Sequence, residues 1–168
     1  MISGQQEFVQ LINTHQALLH KISNLYAHSG EDKKDLFQEM VVQLWKAWPQ
    51  FRGEAKISTW MYRIALNTAI SSLRKQERSP KLSYPENAPE GLIAEAFNPQ
   101  QEEQLKQLYA AIGKLPEIER ALVMLYLEDK SYDEMEEILG INQNNLRVKM
   151  NRIKDKLRKL TKEADYGS

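Results

Sequence analysis

The sequence predicts an all-α protein of two small helical domains joined by a flexible linker, the second domain containing a helix-turn-helix. Apolar residues recur at three- and four-residue spacing along most of the 168-residue chain. No stretch shows a convincing strand-like alternation of apolar and polar residues. Residues 79–99 carry prolines and few apolar side chains, as linkers do. The predicted domains are therefore residues 1–78 and 100–168.

The periodicity predicts three helices in the first domain, over about residues 3–26, 32–48 and 58–78. Ser29-Gly30 is expected to stop the first helix, and Pro49 to end the second. A loop is expected between the second and third helices.

Four helices are predicted in the second domain. Pro99 and Pro116 are expected to open the first two, because proline suits the first turn of a helix. Ser131 and Glu134 form a capping box for a short third helix that a glycine ends, and Asn142 caps the last and longest helix. A short helix, a tight turn and a long helix are the parts of a helix-turn-helix.

Composition excludes several kinds of site. Cysteine is absent, which excludes disulfides, cysteine nucleophiles and thiolate metal sites. The longest apolar run, Ala121–Leu127, is too short to cross a bilayer, and the first residues do not resemble a secretory signal. We therefore expect a cytoplasmic protein without membrane insertion. The spacing of the three histidines and the lack of a glycine-rich loop also predict no metal, cofactor or catalytic residue.

Charge is strongly separated within the second domain, although the whole chain has 23 basic and 23 acidic residues. Residues 128–137 hold one lysine and six acids, a net charge of −5. Residues 142–162 hold eight basic groups and one acid, a net charge of +7. A basic helix that follows a tight turn favours DNA binding over the alternative of a merely solvated charged surface.

The last helix supplies the candidates for contacts with duplex DNA. Its first turns, which in such a motif reach base edges in the major groove, carry Gln143, Asn144 and Arg147. The basic residues better placed for phosphates are Lys149, Arg152 and Lys154.

Aromatic and basic residues also gather around the loop at residues 51–56. The aromatic residues are Trp45, Trp48, Phe51, Trp60 and Tyr62, and the basic ones are Arg52, Lys56 and Arg63. Such a group could stack unpaired bases, because every base offers a π face. Composition favours equally the alternative that the tryptophans fill a small core.

Two sets of motifs resemble bacterial sigma factors of the extracytoplasmic-function (ECF) group, over nearly the whole chain. The first set resembles region two of that family and comprises DLFQE at 35–39, LW at 44–45, FRG at 51–53 and TWMYRIALN at 59–67. The second set resembles region four and comprises LPE at 115–117, SYDE at 131–134 and ILGI at 138–141. Both sets stand in order on either side of the predicted linker, which makes the resemblance specific.

The resemblance implies a subunit that binds core RNA polymerase and directs it to promoter DNA, without catalysis of its own. The residues that it assigns to polymerase binding, at the clamp helices, are Asp35, Gln38, Glu39, Leu44 and Trp45. Those assigned to the melted minus-ten element, where the loop and Asn67 would hold a flipped base, are Phe51, Arg52, Gly53, Lys56, Trp60, Arg63 and Asn67. Those assigned to the duplex minus-thirty-five element are Gln143, Asn144, Asn145, Arg147, Lys149 and Arg152.

Further expectations follow from the same resemblance. The linker would thread through the polymerase cleft, and the protein would be nucleoid-associated when in holoenzyme. Anti-sigma factors are common in the family, so one is a possible partner here. Glu136 departs from the family's usual alanine, and its carboxylate is expected either to loosen the turn or to face Arg147 or Lys149.

Two other hypotheses stay open on the residues alone. An autonomous helix-turn-helix regulator would bind DNA without polymerase, normally as a symmetric dimer. An interaction protein would instead use the basic helix to bind an acidic partner.

Overall fold

The computed structural model of the chain describes residues 4–77 and 99–166, which fall into two helical units, one in each range. No strand occurs within these two ranges, and the predicted all-α class is confirmed. Residues 79–98 of the predicted linker lie outside the described residues, so the boundaries at 78 and 100 stay predictions.

The first unit contains α1 (Gly4–Thr14), α2 (Gln16–Tyr26), α3 (Gly30–Ala47), a 3₁₀ turn (Trp48–Gln50) and α4 (Ile57–Glu77). Helices α2, α3 and α4 pack against one another in pairs. The residues that fill their core include Leu19, Ile22, Leu36, Met40, Leu44, Met61, Ala65 and Leu66. Because α3 buries one stripe of side chains at four-residue spacing, its opposite face is left for other contacts.

The prediction of a single helix over residues 3–26 is wrong, because the helix is interrupted at His15. That residue has φ −111° and ψ 18°, and its carbonyl accepts a hydrogen bond from the Leu18 N–H at 3.1 Å as α2 begins. The break lets α1 place Phe8 against two tryptophan rings of α3 and the following turn. Tertiary packing thus overrides a continuous helical periodicity.

Ser29-Gly30 does not stop a helix but starts one. Helix α2 ends at Tyr26, followed by Ala27 in extended conformation, and Gly30 is the first residue of α3. The Ser29 hydroxyl accepts a hydrogen bond from the Asp32 N–H at 3.0 Å. Serine is a preferred N-cap for this reason, since its side chain satisfies a donor that the helix leaves unpaired.

The second unit contains α5 (Pro99–Gly113), α6 (Glu117–Leu127), α7 (Tyr132–Leu139) and α8 (Gln143–Tyr166). Helix α8 packs against the other three. It contributes Leu146, Met150 and Ile153, which are at most 2% exposed. Buried Arg120 donates its Nε–H to the Leu115 carbonyl at 2.7 Å, which gives this guanidinium a partner in the core.

Helix α7 and the turn between α7 and α8 have the predicted caps. The Ser131 hydroxyl accepts a hydrogen bond from the Glu134 N–H at 3.1 Å, and Asn142 Oδ1 accepts one from the Asn144 N–H at 2.8 Å. Gly140 ends α7 with φ +72°, a left-handed conformation that favours glycine. The predicted helix-turn-helix is therefore confirmed.

Ser131→Ala is expected to destabilise α7 by about 1 kcal/mol, because the Glu134 N–H loses its acceptor. Amide hydrogen exchange of residues 132–139 measures this directly. Ser71→Ala, at an exposed interior position of α4, is the matched control and is expected to stay within about 0.5 kcal/mol of the wild type. Unchanged exchange in the Ser131 variant would show that the cap contributes nothing.

Candidate nucleic-acid and polymerase interfaces

The exposed side of α3 carries most of the residues predicted to bind polymerase. Asp35, Gln38, Val42 and Trp45 step by three, four and three residues and so share one face, with Glu39 beside them. Val42 is 47% exposed and Trp45 is 45% exposed. We call these five residues the α3 surface. Two large apolar side chains among acidic and polar neighbours are typical of a protein interface.

The prediction places Leu44 on this surface, and the structure corrects it. Leu44 has no exposed area and lies in the core stripe with Leu36 and Met40. Val42 takes its place on the surface. The predicted set does not include Val42, although the three-four spacing from Asp35 to Trp45 passes through it.

Five aromatic rings form one connected group, which we call the aromatic cluster: Phe8, Trp45, Trp48, Phe51 and Trp60. Trp48 lies at its centre, with its ring centroid 6.1 Å from that of Phe8 and 5.9 Å from that of Trp60. It stacks on Phe51 at 5.8 Å, with 12° between the ring planes. The ring centroids of Phe51 and Trp60 are 5.0 Å apart. The cluster therefore joins the α3 surface to the loop at residues 51–56.

The core interpretation holds for some of these aromatic residues, and for the others the stacking interpretation stays a prediction. Tyr62 is 4% exposed and belongs to the core, as does Phe8 at 5%. Phe51 and Trp60 are half-buried, so part of each ring remains at the surface. That exposed part is where an unpaired base could stack.

Polar and basic residues surround these half-buried rings. Along α4, Trp60, Arg63 and Asn67 share one face at three- and four-residue spacing, and Arg63 and Asn67 are exposed. Arg52 and Lys56 are exposed in the preceding loop. Between them Gly53 has φ +74°, which a side chain would strain. The loop thus joins cations to aromatic faces, as binding of single-stranded nucleic acid requires.

Helix α8 presents the predicted duplex-reading residues. The exposed ones are Asn144, Asn145, Arg147, Lys149 and Arg152. Gln143 is half-buried, and its side-chain Nε2–H donates to Asp133 Oδ1 of α7. Lys154 is also half-buried, with Nζ 4.7 Å from the centre of the Tyr126 ring. The exposed set can approach DNA directly, and the side chain of Gln143 is held in one orientation by α7.

The carboxylate of Glu136 does not act in either of the ways expected from the sequence. Its Oε2 accepts a hydrogen bond at 3.1 Å from the backbone N–H of Gln143, at the start of α8. A carboxylate at a helix N-terminus is stabilising, because unpaired N–H groups and the helix dipole favour negative charge there. The Arg147 guanidinium instead lies 5.0 Å from the centre of the Tyr132 ring.

The described residues, 4–77 and 99–166, show neither a membrane span nor a metal site. Within them, no helix is both long and apolar enough to cross a membrane. The same residues contain no group of three or more side chains placed to hold a metal ion.

Comparison with known proteins identifies both units. Residues 11–79 match the family model for Sigma-70 region 2, and residues 105–157 match that for Sigma-70 region 4. The ECF RNA polymerase sigma-E factor of Escherichia coli (strain K12) is 32% identical over 165 residues, covering 90% of this chain and 84% of that protein. The chain belongs to the ECF sigma factors. The ECF RNA polymerase sigma factor SigM of Mycobacterium tuberculosis is 26% identical over 161 residues, which cover 95% of this chain and 80% of SigM.

Solved structures agree on the fold. The sigma factor RpoE of Bartonella quintana, solved with the anti-sigma factor NepR, has a TM-score of 0.75 at 18% identity, covering 94% of this chain and 98% of that one. CnrH, solved with the cytosolic domain of CnrY, has a TM-score of 0.66 at 21% identity, covering 98% of this chain and 91% of CnrH. As an ECF sigma factor, the chain binds core RNA polymerase and directs transcription initiation at promoter DNA. The family consists of initiation factors rather than catalytic enzymes.

Proposed function

We propose that this sigma factor divides its work between its units, with residues 1–78 serving polymerase docking and minus-ten recognition and residues 100–168 serving minus-thirty-five recognition. Residues 79–99 link them through the polymerase cleft. The protein acts in the cytoplasm, associates with the nucleoid as holoenzyme and supplies no catalytic group of its own. The observation that carries this division is that each unit exposes a different kind of surface: acidic and apolar on α3, basic on α8.

Docking on polymerase uses the α3 surface. Its two half-exposed apolar side chains can be buried by a partner protein, and its acidic residues complement a basic surface on that partner. Trp45 also contacts Phe8, with ring centroids 5.0 Å apart, which restrains the indole before any partner binds.

Recognition of the melted minus-ten element uses the loop at residues 51–56 and the adjoining face of α4. Phe51 and Trp60 offer partly exposed rings for stacking, and the exposed carboxamide of Asn67 can hydrogen-bond to a base edge. The exposed side chains of Arg52, Lys56 and Arg63 bind phosphates.

An anti-sigma factor is the proposed negative regulator. The solved structures similar in fold are both complexes, one of the sigma factor RpoE with the anti-sigma factor NepR and one of CnrH with the cytosolic domain of CnrY. In this chain the half-exposed Val42 and Trp45 would need covering whenever polymerase is not bound. Competition between core polymerase and such a partner for the α3 surface is the simplest form of control.

Run-off transcription with core polymerase on a library of promoter fragments tests the proposal. We expect transcripts from fragments that share two upstream motifs, and only when the protein is present. Arg147→Ala is expected to reduce the amount of these transcripts by about 5- to 150-fold, the equivalent of about 1–3 kcal/mol for one base contact. Arg158→Ala removes the same charge farther along α8, where the guanidinium pairs with Asp155 at 3.4 Å, and is the matched control.

The alternatives predict different results in the same experiment. Tight duplex binding without polymerase and no stimulated transcripts would favour an autonomous regulator. Transcription that is unaffected by Arg147→Ala would contradict the role of α8 in DNA recognition and favour an acidic partner for the basic helix.

A further inference from the structure

Two carboxylates of α7 hold one residue of α8, Gln143. Glu136 Oε2 accepts a hydrogen bond from the backbone N–H of Gln143 at 3.1 Å. Asp133 Oδ1 accepts one from the side-chain Nε2 of the same residue. The two acids are three residues apart and so share a face of α7. Both the position and the side-chain direction of Gln143 are therefore set from outside its own helix.

The chemistry of the contact determines which way the Gln143 carboxamide points. A carboxylate can only accept hydrogen bonds, so the NH₂ group of the amide faces Asp133, and the Oε1 atom faces away. The NH₂ group has two hydrogens, of which Asp133 takes one. One N–H donor and one carbonyl acceptor remain on the amide for another partner.

A donor and an acceptor on one amide match the adenine edge in the major groove. Adenine presents the N7 acceptor beside the N6 amino donor, and glutamine reads this pair with both of its groups. Cytosine offers only a donor, guanine offers two acceptors, and thymine offers an acceptor and a methyl group. Without Asp133, rotation of the amide about its last torsion would present alternative patterns.

We infer that Asp133 and Glu136 are specificity-determining positioning residues that hold Gln143 to read an adenine in the upstream promoter element. The inference rests on the proposed function of α8 as the duplex-reading helix. Glu136 anchors the first turn of α8, and Asp133 orients the amide. Helix α7 also contacts Arg147, because the ring of Tyr132 lies against its guanidinium. Arg147 is four residues from Gln143 and so lies on the same face of α8. The short acidic helix thus contributes to sequence recognition without contacting a base.

The test is run-off transcription with core polymerase on promoters randomised across the upstream element, with sequencing of the transcribed fragments. For the wild type we expect one position at which adenine is preferred by about tenfold. Gln143→Ala should abolish the preference at that position only. Asp133→Asn should reduce it to about threefold or less, because an asparagine can face either end of the amide. The preferences at all other positions should be unchanged.

Asp129→Asn is the matched control, since it removes the same charge in the turn before α7 and leaves Gln143 untouched. Asp129 is exposed and has φ +60°, a conformation that asparagine also tolerates. Circular dichroism and co-purification with polymerase check that each variant is folded. Glu136→Gln, whose amide oxygen can still accept from the Gln143 N–H, should keep the adenine preference.

The possible results separate this inference from the proposed function. If Asp133→Asn lowers transcription equally for all sequences, or leaves the adenine preference intact, Asp133 is only a structural contact and the inference is wrong. If Gln143→Ala alters no preference while Arg147→Ala does, α8 reads DNA but Gln143 is not held for that purpose. If the wild type shows no preference anywhere in the upstream element, the proposed function of α8 fails.

Discussion

Asn67→Ala is expected to slow promoter opening by about 5- to 150-fold, because a base whose hydrogen-bonding group loses its partner costs about 1–3 kcal/mol. Asn67 is exposed on α4 and makes up one face with Trp60 and Arg63, so removing its carboxamide leaves the core of the unit unchanged. Binding to core polymerase should stay nearly constant, since the docking residues lie on α3. Permanganate footprinting of unpaired thymines measures opening, and co-purification with core polymerase measures docking.

Asn13→Ala is the matched control, an exposed helical asparagine of α1 with no predicted contact to DNA. It should leave both measurements unchanged. Equal loss of opening and of polymerase binding in Asn67→Ala would contradict the assignment, because Asn67 would then act through docking or folding. Phe51→Ala is a poorer first test, since Phe51 also packs on Trp48 and Trp60 and its removal disturbs the aromatic cluster.

Local sequence signals predicted most of the fold, because most helix boundaries are set by groups within a few residues of them. Ser131, Gly140 and Asn142 each act on backbone groups of their own turn, so their spacing was sufficient to predict the helix-turn-helix. The break at His15 had no such signal. Neither glycine nor proline stands there, and the cause is the packing of Phe8 against rings from α3 and the following turn.

The error at Leu44 had a different origin. Four-residue spacing places Leu44 on one stripe with Leu36 and Met40, whereas the motif Leu44-Trp45 suggested a shared role for both residues. Neighbouring residues of a helix point about 100° apart, so both could not face one partner equally. The contacts of Asp133 and Glu136 with Gln143 depend on how α7 crosses α8, which no local pattern encodes. The structure was needed to find them.

Replacing Gln38 and Glu39 together by lysine is expected to weaken docking on core polymerase by about 30-fold or more, since juxtaposed like charges cost several kcal/mol. Both residues are exposed on the α3 surface, beside the half-exposed Val42 and Trp45. The Gln38→Lys change adds one positive charge and the Glu39→Lys change adds two, so the local charge rises by three. Fluorescence anisotropy of the labelled protein, titrated with core polymerase at several salt concentrations, measures the affinity.

The control for this variant is Glu103→Lys with Gln104→Lys, an adjacent exposed pair of the same residue types on α5 of the second unit. It changes the net charge by the same amount, so any general effect of charge on association appears in both proteins. Only the α3 variant should lose affinity, and the loss should shrink as salt rises, because screening weakens repulsion between surface charges. If the α3 variant binds core polymerase as the wild type does, the α3 surface is not the docking site. A loss that does not depend on salt would instead indicate damage to the apolar contacts of Val42 and Trp45.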